Sequence, residues 1–103
     1  MAAPVSDAAT PTRLSAPYPN PFNPSVKLPF ILEDDSRVKL LVYDVAGRLV
    51  RNLIGSQRLR AGEHSYAWNG TDDSGHPVAS GSYYYQLEVD GAPAGARALI
   101  LIR

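Results

Sequence analysis

A chain of 103 residues has room for one ordinary domain and a single core. Its ten basic and ten acidic side chains cancel, which removes the long-range field that binding to nucleic acid or an anionic membrane draws on. With no cysteine there is no disulfide framework, thiolate nucleophile or zinc cluster, so core packing alone must hold the fold.

Residues 1–17 are dominated at their start by Ala, Pro, Ser and Thr without an apolar period and are expected to be a flexible linker or an expression remnant. They lack the basic start and the apolar stretch of about 7 to 15 residues that mark a signal peptide, and no segment reaches the roughly 18 apolar residues of a membrane span. The folded unit is expected over 18–103. Within it, short runs alternate with period two, interrupted by Gly, Asp and Pro, and no helical period is sustained.

The first run, 26–32, puts Val26, Leu28, Phe30 and Leu32 on one face. Its Pro29 cannot donate to a ladder and suggests an edge strand. The second, 37–43, points Val38, Leu40 and Val42 inward and Arg37, Lys39, Leu41 and Tyr43 outward. Asp44-Val45-Ala46-Gly47 is a tight turn, in which the Asp44 side chain caps and Gly47 takes positive φ, and 48–53 is the returning arm of a hairpin. A polar loop through Gly55 and Gly62 leads to a strand at 64–69 with Trp68 against the core. Turn formers fill 70–77, and Val78-Ala79 is a candidate very short strand. In 82–89, Tyr83, Tyr85, Leu87 and Val89 share one face. The 90–95 segment turns the chain into a last run, 96–102, apolar on both faces near its end. About seven short antiparallel strands describe an all-β sandwich of immunoglobulin type.

The segments Val42-Tyr43-Asp44-Val45-Ala46-Gly47-Arg48-Leu49-Val50, Ala61-Gly62-Glu63-His64, Trp68-Asn69-Gly70-Thr71-Asp72-Asp73-Ser74-Gly75 and Val78-Ala79-Ser80-Gly81-Ser82-Tyr83-Tyr84-Tyr85 together resemble the immunoglobulin-like domain of flagellar hook-capping (FlgD-type) proteins. Tyr18-Pro19-Asn20-Pro21-Phe22-Asn23-Pro24 resembles the opening of the C-terminal sorting domains of type IX secretion. Arg97-Ala98-Leu99-Ile100-Leu101-Ile102-Arg103 resembles their apolar last strand with its terminal basic residue. The resemblance implies a non-catalytic C-terminal module of a larger exported bacterial protein, secreted or at the cell surface. Its partner would be a secretion-machinery protein or a neighbouring domain of the parent. The alternative it implies is a structural spacer or assembly domain of hook-capping type.

For recognition, the last strand is read with Ala98, Ile100 and Ile102 packed inward and Leu99 and Leu101 outward beside Arg97. A receptor would then add a strand along its edge, with Arg97, Leu99, Leu101 and Arg103 as the recognised residues. Catalysis is not expected, because His64 and His76 are the only histidines and no motif places a nucleophile and an orienting group beside either. No cofactor is expected. Asn69, Asp72 and Asp73 form the one oxygen-rich cluster that could take calcium, although turn-forming aspartates are the commoner use of such a sequence. Among Tyr66, Trp68, Tyr83, Tyr84 and Tyr85, alternation leaves Tyr84 alone on an outer face, a thin platform for a sugar-binding module.

Overall fold

Alternating apolar residues need one face to bury, and two sheets packed face to face satisfy every run at once. A computed structural model describes residues 12–103. It contains β1 (Arg13–Leu14), β2 (Val26–Leu32), β3 (Ser36–Asp44), β4 (Leu49–Leu59), β5 (Gly62–Trp68), β6 (Gly81–Val89) and β7 (Ala92–Leu101). One sheet has the order β1-β2-β5 and the other the order β4-β3-β6-β7, with every strand pair antiparallel. The protein is thus an all-β sandwich. The linker expected over residues 1–11 lies outside the described residues. At 12–17 the structure departs from it, because Leu14 is buried and β1 pairs with Ile31 and Phe30 of β2.

The inward faces are the expected ones on three strands. Val26, Leu28, Phe30 and Leu32 of β2 meet Val38, Leu40 and Val42 of β3 and Tyr83, Tyr85 and Leu87 of β6 in one core. Each such aliphatic side chain contributes about 1.5–3 kcal/mol of burial. At one end Trp68 lies between Phe22 and Tyr83, with ring centroids 5.6 and 5.4 Å away. Its indole Nε1 donates to the Thr71 carbonyl at 2.8 Å, so the polar edge of the ring is satisfied although the residue is fully buried.

Pro29 sits on a strand flanked on both sides, yet its chemistry holds. The Pro29 carbonyl accepts from Ser15 N at 3.0 Å, so its missing donor also faces the β1 side, where pairing with β1 ends at Leu14. Two other departures lengthen strands. β4 runs to Leu59, through the segment read as a polar loop, because Ser56 at φ 86° forms part of an irregularity that keeps the ladder going. β7 begins at Ala92, since the chain reverses in only two residues: Asp90 and Gly91 both have positive φ (51° and 83°), the geometry of a type I′ hairpin. Val78-Ala79 forms no strand. Val78 N instead donates to the Gly70 carbonyl, and an isolated bridge joins Thr71 to Pro77.

Candidate partner-recognition site

The last strand faces the opposite way from the expectation. β6 and β7 pair with Tyr83 opposite Leu99 and Gly81 opposite Leu101. Because Tyr83 points into the core, Leu99 and Leu101 must too, and they are 0% and 1% exposed. Ile100 and Ile102 project outward, 44% and 52% exposed. The outward display of Leu99 and Leu101 is therefore overturned, and the exposed apolar side chains of this strand are the two isoleucines.

The edge of that strand is also occupied. Asn20 spans two residues of β7: its Nδ2 donates to the Ala98 carbonyl at 3.2 Å and its Oδ1 accepts from Ile100 N at 3.0 Å. Phe22 continues the pattern with its backbone, donating to the Ile100 carbonyl and accepting from Ile102 N, both at 2.9 Å. One amide side chain and one residue of main chain thus replace a neighbouring strand, while the Phe22 ring is buried against Trp68. Four outward backbone groups along Ala98–Ile102 are thus engaged, and strand addition there would have to displace Asn20 and Phe22.

The remaining two residues of the expected set are tied down as well. The Arg97 guanidinium donates to the Leu14 carbonyl at 3.3 Å. Arg103 enters a cradle of oxygens: its backbone N donates to Ser80 Oγ at 2.9 Å, its Nε to the Val78 carbonyl at 2.6 Å, and its Nη2 to the Gly70 carbonyl. Gly70 is required twice over, because its φ is +73° and a Cβ there would lie 2.8 Å from Arg103 Nη2. Asn20, Phe22, Gly70 and Ser80 carry no local signal for this role. Only the resemblance of 18–24 and 97–103 to one domain type pointed at the two segments that meet here.

One side-chain oxygen of each residue in the candidate calcium cluster is engaged in a hydrogen bond. Asp72 Oδ1 accepts from the backbone of Ser74 and His76 at 2.9 and 3.0 Å, Asp73 Oδ1 accepts from Asn52 N at 2.8 Å, and Asn69 Oδ1 accepts from the Thr71 hydroxyl at 2.6 Å. The positive charge beside them is the Arg51 guanidinium, which donates to Thr71 Oγ1 and the Asp72 carbonyl. The same device recurs at Asp44, whose Oδ1 accepts from Ala46 N and Arg48 N, so both Asp-x-x-Gly turns are capped by one carboxylate. The backbone N–H of His76 holds the Asp72 carboxyl below its ordinary range, and that of Arg48 does the same for Asp44.

The histidines are spent separately. His64 Nε2 is 2.7 Å from the Arg60 carbonyl and its ring stacks on Phe30, whereas His76 lies in the Asp72 turn with its side chain 79% exposed. Tyr84 is exposed as expected, and the register sets Tyr43 beside it and Leu49 and Ala98 beyond, one apolar row across all four strands of the larger sheet. Among the described residues no helix is long and apolar enough to cross a membrane.

A family model described as the FlgD Ig-like domain matches residues 24–92. No curated protein sequence matches the chain. Among solved structures, dimeric latent PorU from Porphyromonas gingivalis superposes with a TM-score of 0.74 at 22% identity, over 97% of this chain and 10% of its own. PorZ from the same organism, a surface component of the type IX secretion system, gives 0.55 at 23% identity over 85% of this chain and 11% of its own. FlgD from Xanthomonas campestris, a hook-capping protein, gives 0.60 at 25% identity over 86% of this chain and 64% of its own. The chain therefore spans about a tenth of PorU and PorZ and under two thirds of FlgD. The family model covers most of the fold, including both capped turns, and the chain belongs to the FlgD Ig-like domain family.

Proposed function

We propose that this domain is a non-catalytic module of a longer exported bacterial protein and serves as its sorting element for type IX secretion, acting at the cell surface or outside the cell by binding a protein of that machinery. The observation that carries this reading is the joining of residues 18–24 to the last strand. Two segments that separately resemble sorting domains are one hydrogen-bonded unit, and the likeness to PorZ supports the same assignment. Recognition would read the outward side of that unit, where Ile100 and Ile102 stand exposed. Leu99 and Leu101 would fix its shape from within, and the exposed Arg97 and Arg103 by their hydrogen bonds to backbone carbonyls.

The test is export of a neutral reporter fused ahead of residues 18–103 in a host with a working type IX system. The intact fusion is expected outside the cell and the Ile100→Asp, Ile102→Asp double variant inside, both folded by circular dichroism. Export of both alike, or of neither beside a working control, would overturn the reading.

A second reading has its own support. The row Leu49, Tyr43, Tyr84 and Ala98 is a flat, partly apolar surface of the kind that packs against a neighbouring domain, and membership of the hook-capping family favours an assembly role. Under this reading Tyr84→Lys lowers the melting temperature of the parent protein and leaves that of the isolated domain unchanged.

A further inference from the structure

Each sheet edge presents alternate backbone N–H and C=O groups, and three of the four edges in this sandwich are guarded over part of their length by identifiable devices. β7 is covered by Asn20 and Phe22. The far side of β2 is covered by β1, Ser15 and Tyr18. On β4, three register irregularities break the ladder, and Asp73 accepts from Asn52 N and donates to the Val50 carbonyl.

The fourth edge is β5. Its pairing with β2 runs over seven residue pairs with no irregularity. Lys27 exchanges hydrogen bonds with Tyr18 and Pro29 accepts from Ser15, so Val26, Leu28, Phe30 and Leu32 are the residues of β2 that bond toward β5. Their partners Trp68, Tyr66, His64 and Gly62 use the inner side of β5. The N–H and C=O groups of Glu63, Ser65 and Ala67 consequently point away from the sheet, and among the described residues none of them has a hydrogen-bond partner. β5 has no proline, lysine or bulge, the usual guards of an edge.

We propose that this edge is a self-association site, at which β5 pairs antiparallel with β5 of a second copy about a dyad at Ser65. That register sets Ser65 opposite Ser65 and Glu63 opposite Ala67 of the other copy, and engages all six outward groups of each strand. It is also complementary in charge. Ala67 lies beside Lys27 on the outer face, so each Glu63 carboxylate reaches across the small alanine toward the other copy's Lys27 ammonium, and neither side chain has an ion-pair partner within its own described chain. The result is a continuous six-stranded sheet. Seven-residue edges bury less area than a permanent dimer needs, so the association is weak and reversible.

Sedimentation of the full chain from micromolar to near-millimolar concentration, with amide exchange at the highest, tests this. The expected result is a concentration-dependent dimer in which the Glu63, Ser65 and Ala67 amides become protected. Ser65→Pro removes an outward N–H without touching the β2 ladder and should weaken the dimer by about tenfold or more. Glu63→Lys, an exposed change that leaves the fold alone, should weaken it too, and Glu63→Lys with Lys27→Glu should restore it. A chain monomeric throughout, a dimer indifferent to both single variants, or protection of β5 amides only by an added extended peptide would overturn the proposal.

Discussion

β7 and β5 are both flanking strands, and their outward backbone groups meet different fates. Along β7, Ala98, Ile100 and Ile102 are bonded by a side chain and a loop that come from the far end of the sequence. Along β5, Glu63, Ser65 and Ala67 are left to solvent among the described residues. The contrast teaches that a strand's apolar content does not decide whether its edge is available. The apolar last strand has outward groups engaged by Asn20 and Phe22, and the strand that turns Glu63, Ser65 and Ala67 outward has its own open.

The largest expected effect comes from removing the side chain that anchors the seal. Phe22→Ala deletes a buried ring packed on Trp68 and should lower stability by about 3–5 kcal/mol in urea unfolding. It should also free the Ile100 and Ile102 amides. Next is Gly70→Ala, which strains a residue at φ +73° and pushes a Cβ into Arg103. A loss of about 2 kcal/mol is expected, reduced in the double variant with Arg103→Ala because the clash disappears. The comparison itself is broken or sharpened by proline. Ile100→Pro removes a donor that Asn20 accepts and should cost about 1–3 kcal/mol, whereas Ser65→Pro in the monomer should cost less than about 1 kcal/mol. Equal costs would mean that the two edges do not differ.

The smallest effects are pH-dependent. Asp44 and Asp72 are held below the ordinary 3.8 chiefly by the backbone N–H groups of Arg48 and His76. A depressed carboxyl contributes stability that is present above its unfolded value and is lost as pH falls through its folded one. Melting temperature should therefore drop below about pH 4, and Asp44→Asn with Asp72→Asn should flatten that drop. At the other extreme, burial pushes the Tyr85 hydroxyl up to about 12. Its contribution is full below the unfolded value of about 10 and fades as pH rises toward the folded one, so Tyr85→Phe should flatten the alkaline limb of the same curve.

How much of this the residues reveal depends on whether an interaction is local. The faces of β2, β3 and β6 are legible because one parity of each carries the large apolar residues of the core, although Leu41, on the other parity of β3, is buried as well. Both Asp-x-x-Gly turns are legible because the capping oxygen and the positive-φ glycine lie within five residues. The last strand is not, since Ala98-Leu99-Ile100-Leu101-Ile102 is apolar at either parity, and only pairing with Tyr83 selects which leucines go in. β4 beyond Leu53 reads as loop because Gly55 and Ser56 are turn residues, here absorbed as an irregularity in a continuing strand. The Asn20 clasp and the Arg103 cradle join residues 78 to 80 and 23 to 33 positions apart, and no period or spacing encodes such a contact.

Hydrogen exchange on the dilute monomer tests the central claim most directly. The account predicts slow exchange for the amides of Ile100 and Ile102 and fast exchange for those of Glu63, Ser65 and Ala67 in the same molecule. Fast exchange at Ile100 and Ile102, matching β5, would mean that residues 18–24 do not seal the last strand, and the assignment of those two segments to one recognition unit would fail with it.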